Sequence, residues 1–174
     1  MPTEVVGAVA LRKALRKFEP DLAKETTKEI ANFLKPVVKQ ARGFAPSNEQ
    51  VPSGWVKRPN AGGRWANRSY NAAEVRRGIT FKTSPSKPNR NGFKSLATIF
   101  NKSAAGAIYE TAGRKSGIVG KFTPKLGGQL KGNNQKTKGR VIFRAMEEDQ
   151  GKAKAHIIKA IEAAAAKLNS RSKL

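Results

Sequence analysis

Cysteine is absent from this chain of 174 residues, so disulfides and thiolate metal sites are excluded. Histidine occurs once, at His156, and acidic residues number 12 against 35 Lys and Arg. A catalytic His pair is therefore impossible. A metal-dependent nuclease needs clustered carboxylates, and the one acidic run is Glu147-Glu148-Asp149. Consecutive residues on a helix do not share a face, so that run is read as complementing the dipole at a helix start. No phosphate-binding loop of the form G-x-x-x-x-G-K-[ST] is present. No run of roughly 18 apolar residues occurs, which leaves no membrane-spanning segment to expect. Glu4 comes early and Arg12, Lys13, Arg16 and Lys17 follow the first apolar stretch, an order opposite to that of a secretory signal. The expectation is a chain that stays in the cytoplasm.

What is abundant is positive charge, and it is unevenly placed. The formal net charge is +23. Residues 47–139 hold 18 Lys and Arg against Glu49, Glu74 and Glu110, a local +15; the two ends together carry +8. Such a surface suits phosphate or an acidic protein wall. Hydrophobic residues make up 38%, and 16 Gly and nine Pro concentrate in the middle. A modest core with extended arms is expected, with part of the middle ordering on assembly.

The pattern predicts an α+β fold: a long kinked N-terminal helix and a C-terminal helix packed on a small antiparallel sheet, with long basic loops. A first helical segment spans 5–17. A second begins at Pro20 and places Leu22, Thr26, Ile30, Phe33, Val37 and Ala41 on one face, with Pro36 expected to kink it. Residues 47–71 read as loop, anchored by Trp55 and Trp65. Strands are expected at 78–83 and 96–101 around a hairpin loop at 84–92, followed by a short helix at 104–111 stopped by Gly113. Residues 114–139 read as a Gly- and Lys-rich loop. The strongest helical signal covers 140–169, with Ala153, Ile157, Ile161, Ala164 and Leu168 as its apolar stripe and Gly151 as a potential kink. The chain is expected to be a single domain, 1–174, divided into a helical region (1–46), an extended basic loop (47–77), a hairpin and short helix (78–113), a flexible loop (114–139) and a C-terminal helix and tail (140–174). The expected core is Leu22, Ile30, Phe33, Leu34, Val37, Ile79, Phe81, Leu96, Ile99 or Phe100, Ile108, Phe143, Ile157, Ile161 and Leu168.

The basic middle is the serious functional candidate. Trp55, Trp65 and Tyr70 interleave with Lys57, Arg58, Arg64 and Arg68, as on a single-strand-binding surface. The competing readings are that the tryptophans anchor a loop to the core or to a neighbouring subunit, and that the cations are solvated or pair across a protein interface.

Five short stretches occur in a recognisable order: Ala41-Arg42-Gly43-Phe44-Ala45-Pro46, Ser53-Gly54-Trp55, the hairpin at 78–101, Tyr109-Glu110-Thr111-Ala112-Gly113, and Phe143-Arg144-Ala145 leading into the last helix. This layout resembles the neck or tail-completion (minor tail component) proteins of long-tailed bacteriophages. The chain departs from that family in lacking prolines at the entry to the C-terminal helix and in its longer middle loops. The resemblance implies a structural, non-enzymatic subunit without cofactors. It would sit in a homo-oligomeric, six-fold ring at the head–tail junction or tail end, around the DNA channel. Its partners would be copies of itself and tail terminator, tail tube or connector proteins, with nonspecific contact to genomic DNA and none to membrane. Its location would be the host cytoplasm during assembly and then the virion. On that reading the subunit-interface candidates are Trp55, Arg64, Trp65, Arg68, Lys121, Phe122, Lys125 and Lys131. The DNA-facing candidates are Lys57, Arg58, Lys87, Arg90, Arg114 and Lys115. The alternative is a free, sequence-nonspecific nucleic-acid-binding protein; a small toxin or nuclease is a distant third.

Overall fold

The computed structural model describes residues 7–52, 55–56, 69–92, 94–114, 123–126, 130–131 and 138–171. Among these it has an α+β fold of six helices and one two-stranded antiparallel sheet. The helices are α1 (Ala8–Phe18), α2 (Pro20–Phe44), α3 (Ala72–Gly78), α4 (Ala104–Thr111), α5 (Ile142–Glu148) and α6 (Lys152–Arg171); the strands are β1 (Ile79–Lys82) and β2 (Thr98–Asn101). No helix among the described residues is long and apolar enough to cross a membrane.

The chain divides into two compact units. The first comprises Met1–Pro36, Phe81–Thr98 and Gly151–Leu174; the second comprises Val37–Thr80 and Ile99–Gln150.

The first unit is built on helical periodicity. Glu19 separates α1 from α2, and its carbonyl already accepts from the Ala23 amide. Pro20 fits the first helical position because its missing N–H would be unpaired there in any case, and Asp21 complements the positive end of the dipole. The expected face of α2 is the buried one: Leu22, Thr26 and Ile30 are buried and Phe33 is half-buried. Thr26 is tolerated there because its hydroxyl donates to the Leu22 carbonyl one turn back, at 2.8 Å. Leu15, Leu22 and Ala164 form a buried cluster, with Leu11, Ala23 and Leu168 packed around it, so α1 and α6 meet through small and aliphatic side chains. Lys167 to Glu25 at 2.9 Å and Arg171 to Glu19 at 2.6 Å tie the exposed rim of α6 to the start of α2. His156 is exposed and its ring lies 4.7 Å from that of Phe33.

Three departures from the sequence reading concern elements. Helix α3 lies where no helix is expected; the Asn71 side chain caps it by accepting from the Glu74 amide at 3.2 Å. A 3-10 turn at Asn48–Gln50, closed by a reciprocal Ser47–Gln50 capping box, gives local order to a stretch read as plain loop. The single C-terminal helix expected over 140–169 is two helices. Gln150 and Gly151 both take positive φ, 51° and 76°, and a left-handed pair cannot continue a right-handed helix. As a consequence Glu147 and Glu148 fall in the last turn of α5, not at a helix start. The dipole role assigned to them is therefore replaced, for Glu148, by side-chain pairing: it takes a hydrogen bond from Arg144 at 2.8 Å and another from Gln40 at 2.9 Å, with Lys131 at 3.7 Å. These contacts, the Arg144 bond first, hold the Glu148 carboxyl below its ordinary pKa.

Candidate functional site

The second unit combines buried aliphatic side chains, Val37, Val75, Ile79 and Leu126 among them, with a set of buried polar groups and aromatic rings around Glu110. Ser103 caps α4 by accepting from the Gly106 amide, and the helix carries Tyr109 and Glu110 inward to 4% and 5% exposure. One Glu110 oxygen accepts from the Val141 amide at 2.7 Å and the Ile142 amide at 3.1 Å; the other accepts from the Phe143 amide at 2.8 Å. Those are the unpaired donors at the start of α5, so a side chain of α4 caps α5 from 31 residues away. Arg140 returns the arrangement. It is 6% exposed, and its guanidinium donates to the Tyr109 carbonyl at 3.0 Å and the Ala112 carbonyl at 2.6 Å, at the C-terminal end of α4. Each helix end is thus satisfied by a charge of the sign its dipole favours.

Glycine is required in this cradle. A Cβ on Gly139 would lie 2.1 Å from a Glu110 carboxylate oxygen and 2.9 Å from the Phe143 ring. Gly139 also exchanges both backbone bonds with Lys131, at 3.0 and 2.9 Å, which fixes the chain just before Arg140. A second cradle surrounds Asn101, which donates to the Val75 carbonyl at 3.2 Å and accepts from the Ser103 amide at 2.8 Å. A Cβ at Gly78 or Gly106 would come within 2.4 or 2.2 Å of the Asn101 amide group.

Three aromatic rings lie against this frame. Trp55 is 5.0 Å from Tyr70 and 6.4 Å from Tyr109, and the two tyrosines are 6.2 Å apart, centroid to centroid. Tyr70 is fully buried and its hydroxyl donates to the Pro46 carbonyl at 2.8 Å. Burial pushes the phenol pKa of both tyrosines up, because the phenolate would be poorly solvated there. Arg42 forks onto the Ile79 carbonyl and Arg76 onto the Ala45 carbonyl, and the Arg144 guanidinium lies 3.9 Å from the centre of the Phe44 ring. The chemistry of this constellation is that of a clamp. Glu110 spends both carboxylate oxygens on backbone amides and so joins the end of α4 to the start of α5.

The sequence-predicted site residues scatter. Trp55 is half-buried and faces the two tyrosines, so its ring contacts protein. Lys125 is exposed in the 3-10 turn Thr123–Leu126, and Lys131 bridges to Gly139 with its amine near Glu148. Arg114 is half-buried; it donates to the Lys138 carbonyl and lies 4.7 Å from the Phe143 ring centre. All four belong to the second unit, whereas Lys87 and Arg90 are exposed in the first. Lys57, Arg58, Arg64, Trp65, Arg68, Lys115, Lys121 and Phe122 lie outside the described residues. What the sequence reading missed is Arg140 as the partner of Tyr109-Glu110, and Tyr70 as the buried ring beneath Trp55. The clamp had one local signal, an acidic residue in a mostly apolar helix, and none for its partner.

No protein-family model, curated protein or solved structure matches the chain.

Proposed function

We propose that this chain is a structural subunit of a phage head–tail junction or tail-end ring, a neck or tail-completion protein. In that role it surrounds a DNA channel and bonds to copies of itself and to tail or connector proteins. One observation carries the reading. Apart from the hairpin, most of which belongs to the first unit, the stretches that give the layout its resemblance fall in the second unit, where their described residues serve the architecture. Ala45 and Pro46 receive Arg76 and Tyr70, Trp55 packs on Tyr70 and Tyr109, and Glu110 caps the helix that holds Phe143, Arg144 and Ala145. Stretches that lie far apart in sequence and meet as a frame are expected of a subunit whose work is to hold a shape. The long basic segments supply the means to reach neighbours and to neutralise phosphate without reading sequence.

The net charge of +23 also favours the second reading, a free nonspecific nucleic-acid-binding protein. Light scattering on the purified chain, at low and physiological salt and with and without duplex DNA, separates the two. A ring subunit gives a defined mass and weak DNA binding at physiological salt. Tight, steeply salt-dependent binding by the monomer at that salt would replace the structural reading with the second one.

A further inference from the structure

The segment Phe81–Thr98 carries Lys82, Lys87, Arg90 and Lys94 and no acidic residue. Its described residues form a closed loop. The Ser86 amide donates to the Ser95 carbonyl at 2.9 Å, and the Ser95 amide donates to the Ser86 hydroxyl at 2.9 Å, closing its neck. At its tip the Gly92 amide donates to the Asn89 carbonyl and the Asn91 amide to the Asn89 side chain, each at 2.9 Å, with Gly92 at a φ of 75° that favours glycine. At its base the buried Arg12 of α1 donates to the Leu96 carbonyl at 2.9 Å. The turn therefore holds Arg90 at the tip with Lys87 and Lys94 on its flanks, all three exposed. None of these three has an ion-pair partner among the described residues.

We propose that this arm, the loop between β1 and β2, contacts the phosphate backbone of duplex DNA through Lys87, Arg90 and Lys94. The inference rests on the ring-subunit reading above and names the residues that meet the nucleic acid. Lys94 joins Lys87 and Arg90 because the turn geometry brings it to the same arm, whereas Arg114 is engaged with Lys138 and Phe143. The exposed polar side chains described in the arm, Lys, Arg, Ser, Asn and Thr, are of types that bond phosphates. A protein-binding patch would instead be rich in aromatics and poor in Lys. A single-strand-binding surface would interleave several stacking rings with its cations, whereas residues 82–96 contain one aromatic residue, Phe93. A closed, preordered turn loses little entropy on contact, and backbone contact gives binding indifferent to sequence.

The test is fluorescence anisotropy of a labelled duplex of about 20 base pairs, titrated with the full chain between about 50 and about 200 mM salt. The triple variant Lys87→Ala, Arg90→Ala, Lys94→Ala is compared with wild type and with Lys28→Ala, Lys152→Ala, Lys159→Ala, which removes the same charge from exposed helical positions. Far-UV circular dichroism checks that each variant is folded. The arm variant is expected to lower the slope of log K against log salt by about 2.7, equally on unrelated sequences. The helix variant is expected to keep nearly the wild-type slope. An arm variant with the wild-type slope would overturn the proposal while leaving the ring reading intact, because that reading is judged by the mass of the assembly. Equal losses in both variants, or no binding by wild type at the lowest salt, would overturn it as well.

Discussion

The two units of this chain are stabilised in different ways. The first is held by apolar contact between helices, with Leu15, Leu22 and Ala164 at its centre. The second also buries apolar side chains, Val37, Val75, Ile79 and Leu126 among them, but adds directed bonds around Glu110, Arg140, Asn101 and Tyr70. Hydrophobic burial is nondirectional and tolerates substitution by shape, so the first unit should accept any apolar side chain of similar volume. A carboxylate that satisfies three amides tolerates almost nothing, because each amide left unpaired in a buried place carries its own desolvation cost.

Glu110→Ala is the sharpest way to break the contrast. It is expected to cost about 4 kcal/mol, read from the urea midpoint. Glu110→Gln should still cost about 2 kcal/mol, because its amide nitrogen would face backbone donors. In the first unit Leu15→Ala is expected to cost about 3 kcal/mol. Leu15→Met, in contrast, should cost only about 1 kcal/mol. A Gln variant as stable as wild type would mean that the clamp is not what holds α4 and α5 together.

The tyrosines sharpen the same comparison. Tyr70→Phe is expected to cost about 1 kcal/mol through the lost bond to Pro46. Both tyrosines of the chain lie in the second unit with pKa values raised in the fold. A raised folded-state pKa means that stability is fully present below the unfolded value, about 10, and is lost as pH rises beyond it. Absorbance at the phenolate band should therefore stay flat through that pH while the fold persists, and rise only with unfolding. Tyrosine ionisation near the ordinary value in a chain with native circular dichroism would contradict the burial described. Glu148 works at the opposite end. Its lowered pKa gives stability that is present above the unfolded value, about 4.3, and lost as pH falls through the folded one. Glu148→Gln should flatten that acid limb slightly. The smallest effect is expected for Arg171→Ala, at most about 0.5 kcal/mol, because its pairing with Glu19 is at the surface.

The first unit was largely legible in the sequence because its determinants are local. The face of α2 and the stripe of α6 repeat at three and four residues, and Ala153, Ile161 and Ala164 are buried where the stripe puts them. The strands and the stop of α4 before Gly113 were legible for the same reason. The rest of the second unit was not. Helix α3 has only seven residues, and its buried positions, Ala72, Val75 and Gly78, are too few and too small to give a periodic signal. The break between α5 and α6 sits within a run of good helix formers, where Gly151 was the single clue. Tyr70 and Leu126, among the most buried side chains, lie in stretches read as loop. Their burial depends on partners distant in sequence, as the Glu110 clamp does, and no local pattern encodes such a contact.

The central claim is that the chain serves as one of several copies in a protein ring. It is tested most directly by recovering the tagged chain from the cells that produce it and weighing the intact assembly by native mass spectrometry. The account predicts several copies of the chain in a fixed integer ratio with other proteins. A single copy bound to nucleic acid, with no protein partner, would contradict it.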